Sequence, residues 1–157
     1  MPESSRMTES YSLSELEAII RRVTDSGGEF ELYPKGTSML PLILEGRDSV
    51  ILSCLPDELT AGDVVLYRRD DGAYVLHRIL GCDGGTYTMC GDNQYNAEPG
   101  IRRDQMIAFA SAFIINGKRI EADSPENLRY IKRRRSLKLR RIYLPVIHRL
   151  RSLAGRR

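Results

Sequence analysis

Between Glu29 and Glu121 the apolar residues come in short runs, each closed by turn chemistry, and that pattern confines the chain to a β-rich core. Phe30 and Leu32 alternate with Glu29, Glu31 and Tyr33, which is the period of a strand with one face inward. Val50-Ile51-Leu52 and Val64-Val65-Leu66-Tyr67 are compact apolar runs bounded by turns. Arg69-Asp70-Asp71-Gly72 turns the chain into Ala73–Leu80, a hairpin, and Asp83-Gly84-Gly85 turns it into Thr86–Cys90. Met106–Ile115 is a longer strand. Asn116-Gly117 then favours a type I′ turn, whose two central residues both need positive φ, and returns the chain through Lys118–Glu121. The expectation is about seven short strands.

Helical patterns flank this region. Met1–Tyr11 reads as a flexible leader, residues 1–11. Ser12-Leu13-Ser14-Glu15 is a capping box, in which the Ser hydroxyl and the Glu carboxylate satisfy orphan amides at a helix start. Leu13, Leu16, Ile19, Ile20 and Val23 follow at helical spacing, and Gly27-Gly28 ends the helix, so one is expected over 12–27. Residues 12–125 form the expected single domain. After Pro125 the character shifts to apolar residues interleaved with Arg and Lys, a basic amphipathic tail over 126–157. Pro145 should break or kink it, leaving two short helices. The fold class is therefore mainly β, with one N-terminal helix and a basic C-terminal helical tail.

Charge is divided sharply along the chain. Twelve of the 24 Lys and Arg lie between Arg129 and Arg157, where there is no Asp or Glu; the remaining 128 residues hold twelve basic against 21 acidic side chains. An acidic body with a cationic tail points to an electrostatic contact, and apolar residues among the arginines of 129–157 suit an anionic membrane surface. No recognised nucleic-acid module accompanies the charge, so nucleic acid is not the expected partner. Three cysteines without close pairing argue against a disulfide framework, and two distant histidines with no CxxC argue against a structural metal. The longest charge-free run, Gln105–Gly117, has 13 residues where a membrane span needs about 20. The polar opening residues hold no apolar signal segment, so a cytoplasmic chain, peripheral at most to a membrane, is the expectation.

Ser, His and Asp arrive in that order on short β-type segments. Ser38 sits in Gly36-Thr37-Ser38-Met39-Leu40-Pro41, between the strand ending near Pro34 and the run at Ser49. A serine hydroxyl needs a base within about 2.6–3.2 Å to act as a nucleophile at neutral pH. Of the lysines, Lys35 lies three residues before Ser38, Lys118 follows a turn, and Lys132 and Lys138 belong to the tail; none is on a core strand. His77 is, with Val75 and Ile79 on its face at strand spacing. Asp92, in Gly91-Asp92-Asn93 just after the next strand, is the candidate to orient the imidazole.

Gly36-x-Ser38-Met39-x-Pro41, Gly62-Asp63-Val64-Val65-Leu66-Tyr67, His77-Arg78-Ile79-Leu80-Gly81 and Gly91-Asp92-Asn93, taken in order, resemble the boxes of type I signal peptidases. The wider grouping takes in LexA-like peptidases. Lysine-type members carry Lys before the Arg of the third box; His77 at that position is similar to the histidine-type members. The resemblance implies a coiled, mostly antiparallel β-fold and a serine endopeptidase that needs no cofactor. It implies Ser38 as nucleophile, His77 as general base and Asp92 as the acidic third member. Glu98 is the one further acidic residue close behind Gly-Asp-Asn. The implied substrate is an extended peptide or precursor protein, docked as an added strand along Glu29–Pro34, with Phe30, Leu32, Gly36 and Met39 as substrate-binding residues. The Ser38 amide would be one oxyanion donor; lysine-type members often add a hydroxyl where this chain has Gly36. Two alternatives stand beside this: a non-catalytic module whose tail contacts lipid or nucleic acid, and a LexA-like self-cleaving regulator. The latter needs an upstream DNA-binding domain and scissile bond, and the residues before Ser38 hold one helix and no Ala-Gly or Cys-Gly pair.

Overall fold

The computed structural model describes residues 12–134 and 136–155, so the expected leader over 1–11 lies outside the described residues. Helix α1, Leu13–Asp25, begins where the sequence places its cap: the Ser12 hydroxyl accepts from the Glu15 amide, and the Ser12 amide donates to the Glu15 carboxylate. It ends in a Schellman motif, with Gly28 N–H donating to the Val23 carbonyl and Gly27 N–H to that of Thr24. Gly27 takes the left-handed φ of 83° that a side chain would resist. Ile20 is the buried apolar anchor of this helix.

Eight strands follow in one sheet: β1 Phe30–Leu32, β2 Ser49–Ser53, β3 Val64–Arg68, β4 Tyr74–Asp83, β5 Thr86–Cys90, β6 Glu98–Ile101, β7 Met106–Ile115 and β8 Lys118–Glu121. They are antiparallel throughout, in the order β1-β2-β7-β3-β4-β5-β6, with β8 pairing β7. Phe113 pairs both Val50 and Ile120, and Phe109 pairs both Ser53 and Val65. β3 and β8 therefore share one edge of β7 while β2 runs along the other. The expected type I′ turn joins β7 to β8, with Asn116 at φ 51° and Gly117 at φ 78°.

One strand exceeds the expected count. The sequence Glu98-Pro99-Gly100-Ile101 has the composition of a loop, yet it forms β6, because β6 lies at the edge of the sheet and pairs only β5. A proline there forfeits no ladder bond that the sheet requires.

The sheet is buried on both faces around β3. Val64 and Leu66 join the larger cluster, with Ile20, Leu52, Ile107 and Phe113; Val65 and Tyr67 join the second, with Ile79, Met89 and Met106. The helices α2, Pro125–Arg134, and α3, Leu137–Ala154, follow β8. Proline does not break α3, which runs 18 residues through Pro145. Pro145 and Arg141, whose carbonyl loses its partner, both face solvent, so water can satisfy that carbonyl. Arg140 and Leu144 are buried, so α3 is packed on the body rather than trailing from it.

Candidate active site

The serine turn is built from both sides. After β1, the Leu40 amide donates to the Thr37 carbonyl at 3.2 Å and the Ile43 amide to the Met39 carbonyl at 3.1 Å, placing Ser38 in the first of two tight turns. Met39, Leu42 and Ile43 are buried in the larger cluster and pin the turn down. Asp48 closes the loop behind it, accepting from the Leu44 amide at 2.8 Å and the Asn116 amide at 2.9 Å while Arg47 grips both its oxygens. Arg47 and those amides hold the Asp48 carboxyl down at about 2, against its desolvation. On the opposite side Asn93 donates twice, from its backbone N–H to the Ser38 carbonyl at 2.8 Å and from Nδ2 to the Thr37 carbonyl at 3.0 Å. The Gly36 amide is taken by Glu45 at 2.9 Å.

His77 lies on β4 opposite Val65 and is 4% exposed. Its Nδ1 is 3.4 Å from the Tyr67 hydroxyl, which donates to Glu98 Oε2 at 2.8 Å; Arg69 clamps both oxygens of Glu98 at 2.7 Å. With the Tyr67 proton committed to Glu98, the phenol offers Nδ1 a lone pair. Nδ1 therefore carries the imidazole proton, and the lone pair of the neutral ring sits on Nε2. Burial, then the nearby Arg69 charge, lower the His77 pKa to about 4, although Glu98 and Asp92 pull the other way. At neutral pH the ring is an unprotonated base. Burial and Glu98 also raise the Tyr67 pKa, which keeps its hydroxyl a donor.

The Ser38 backbone carbonyl and His77 Nε2 both approach Gly91. A Cβ built on Gly91 would lie 2.5 Å from the Ser38 carbonyl oxygen and 3.1 Å from His77 Nε2. The serine turn and the basic nitrogen thus close on the side of Gly91 that has no side chain. Both residues line one cleft of about 230 Å³, together with Gly36, Met39 and Tyr74. Among the described residues, no hydrogen bond engages the Ser38 hydroxyl.

The other expected site residues are placed differently. Asp92 does not orient His77. Its carboxylate takes Arg78 Nε and Nη2 at 2.8 and 2.7 Å and the Tyr130 hydroxyl at 2.9 Å, all beneath the sheet. The reason is strand alternation: Arg78 follows His77 on β4 and points to the opposite face, and the buried guanidinium draws the nearest carboxylate. Phe30 and Leu32 pack half-buried on the larger cluster rather than lining the cleft, leaving β1 to offer its backbone edge. Gly36 and Met39 do line it. Along β4, pairing with β5 starts only at Arg78–Cys90, so among the described residues Tyr74–His77 have no strand partner on that edge.

Sequence reasoning missed two features. One is Tyr67 with Arg69 behind it; the signal was parity, since Tyr67 shares the face of Val65, which pairs His77. The other is the clasp from the tail. Arg140 Nη1 donates to the Gly91 carbonyl at 3.1 Å, and His148 Nε2 is 3.0 Å from Asn93 Oδ1. Tyr130 and Arg134 on α2 reach Asp92. The helices expected to be a tail hold the Gly-Asp-Asn turn that holds Ser38.

Among the described residues no cluster of His, Cys, Asp and Glu has the arrangement of a metal site, and no helix is long and apolar enough to cross a membrane. Compared with protein-family models, with curated proteins and with solved structures, the chain matches none.

Proposed function

We propose that this chain is a serine endopeptidase, cutting extended peptide segments through an acyl-enzyme on Ser38 with His77 as general base. One observation carries the reading: the Ser38 turn and His77 Nε2 close on the bare face of Gly91 in a shared cleft, with Nδ1 already committed to Tyr67. The order of sequence boxes that resembles type I signal peptidases supports the same chemistry.

The steps follow from that geometry. An extended substrate lies between the open edges of β1 and β4, its backbone pairing as an added strand. Ser38 Oγ attacks the scissile carbonyl carbon while Nε2 takes its proton, and the negative charge moves to the carbonyl oxygen near the Ser38 amide. The imidazolium is held by Tyr67, whose hydroxyl is anchored on Glu98, and it gives its proton to the leaving amine. Water, deprotonated by the same nitrogen, then releases the acyl group. Asp92 acts on the scaffold instead, locking the Gly-Asp-Asn turn to Arg78.

The test is labelling by a fluorophosphonate probe together with peptide-library cleavage read by mass spectrometry, on wild type, Ser38→Ala and His77→Ala. Labelling and cuts confined to wild type support the proposal. Equal, negligible signals from all three folded proteins would overturn it. The non-catalytic binding module is the second reading, favoured by the Ser38 hydroxyl having no hydrogen bond to His77 among the described residues; it gains if the probe leaves wild type unmodified.

A further inference from the structure

Helix α3 carries apolar side chains on two opposite faces, and only one is used by the fold. Leu144 and Arg140 are 1% exposed and face the body. Leu139, Ile142, Val146, Leu150 and Leu153 are 57–71% exposed and recur every three or four residues, so they form one stripe. At 100° per residue, Leu144 lies roughly 160° around the helix from the centre of that stripe. The stripe runs about 21 Å at 1.5 Å per residue. Nothing in the described body covers it.

Charge narrows what can cover it. Lys138 and Arg149 are exposed on α3 and flank the stripe, roughly 60–80° from its centre, and the chain has no Asp or Glu beyond Glu126. Two copies paired through the stripe would bring these cations together with no carboxylate on either helix to offset them. A surface that is apolar inside and negative at its rim accepts both features at once, because apolar side chains sink into the acyl boundary while Lys and Arg reach phosphate headgroups. We infer that the outer face of α3 docks on an anionic lipid bilayer, lying in the interface plane without crossing it. The inference goes beyond the peptidase reading and stands independently of it.

The docked helix is firmly tied to the molecule. Arg140 donates to the Gly91 carbonyl at 3.1 Å and to the Arg134 carbonyl at 2.7 Å. His148 meets Asn93, which in turn holds the Ser38 carbonyl. Docking of α3 therefore orients the whole body, Ser38 cleft included, relative to the lipid surface.

The test is co-sedimentation of the full chain with vesicles of phosphatidylcholine and with vesicles of phosphatidylcholine mixed with phosphatidylglycerol. Wild type binds the mixed vesicles at low salt and is released as salt rises. The triple variant Ile142→Gln/Val146→Gln/Leu150→Gln loses binding by about tenfold or more. The pair Lys138→Gln/Arg149→Gln loses about 25-fold, at roughly fivefold per basic residue near an anionic surface. These side chains are solvent-exposed, so both variants keep the wild-type circular dichroism spectrum and melting temperature. Three results would overturn the inference: wild type binding neither vesicle, the stripe variant binding as wild type does, or a wild-type dimer in sedimentation that the stripe variant dissolves. Fluorophosphonate labelling of Ser38, measured without vesicles, reports the peptidase reading separately.

Discussion

Replacing Gly91 by alanine perturbs the site while leaving both Ser38 and His77 in the sequence. The added methyl carbon would lie 2.5 Å from the Ser38 carbonyl oxygen, 3.0 Å from Gln94 Oε1 and 3.1 Å from His77 Nε2. A carbon–oxygen contact relaxes only beyond about 3.3 Å, so the Ser38 carbonyl must retreat by nearly 1 Å. That carbonyl is backbone, and Asn93 holds it by a 2.8 Å hydrogen bond. Gln94 can swing aside; Ser38 and Asn93 can separate only by breaking that bond. Overpacking of this kind costs about 1–3 kcal/mol of stability. Displacing a nucleophile by about 1 Å costs on the order of 10²-fold in rate. The expected Gly91→Ala protein is folded, melts several degrees lower, and is labelled by fluorophosphonate about a hundredfold more slowly than wild type. Thermal melting followed by circular dichroism and labelling time courses read the two effects. Wild-type values in both would refute the approach of the Ser38 carbonyl and His77 Nε2 to Gly91.

Three further outcomes follow from the electrostatics. The folded pKa of His77, about 4, lies below its ordinary 6.5, so the unfolded chain binds a proton in that window that the folded chain does not. Its contribution to stability is complete above pH 6.5 and drains away as pH falls toward 4, by about 3 kcal/mol at 1.36 kcal/mol per pH unit. Urea unfolding across that range checks it, with His77→Leu removing the slope. The acid limb of kcat/KM should likewise have its midpoint near pH 4 rather than 6.5; a midpoint at the ordinary value would remove His77 as the buried base. Asp92→Asn leaves the buried Arg78 guanidinium without its countercharge and should cost about 3–5 kcal/mol, which Asp92→Asn/Arg78→Met largely recovers. Equal stability of wild type and the single variant, by urea titration, would show the pair to be dispensable.

What could be read from the sequence alone was local. The Ser12 capping box, the end of α1 at Gly27, the Asn116-Gly117 turn and the alternation along β4 depend on backbone angles and on neighbours a few residues apart. The strand period also placed His77 on one face with Val75 and Ile79, and so made it the candidate base. Tertiary structure decided which charge meets which. Asp92 went to Arg78 and Tyr130, and Tyr67 with Glu98 became the partner of His77, because strand register and face fix those distances. The tail could be recognised as basic and amphipathic, but its inner contacts could not: Arg140 reaches Gly91 across 49 residues of chain, and His148 reaches Asn93 across 55. Periodicity shows that a helix has an apolar face. It says nothing of which face meets the body, since that depends on surface contributed by distant parts of the chain. In α3 the fold uses the face of Leu144 and leaves the stripe of Ile142 and Leu150 to solvent.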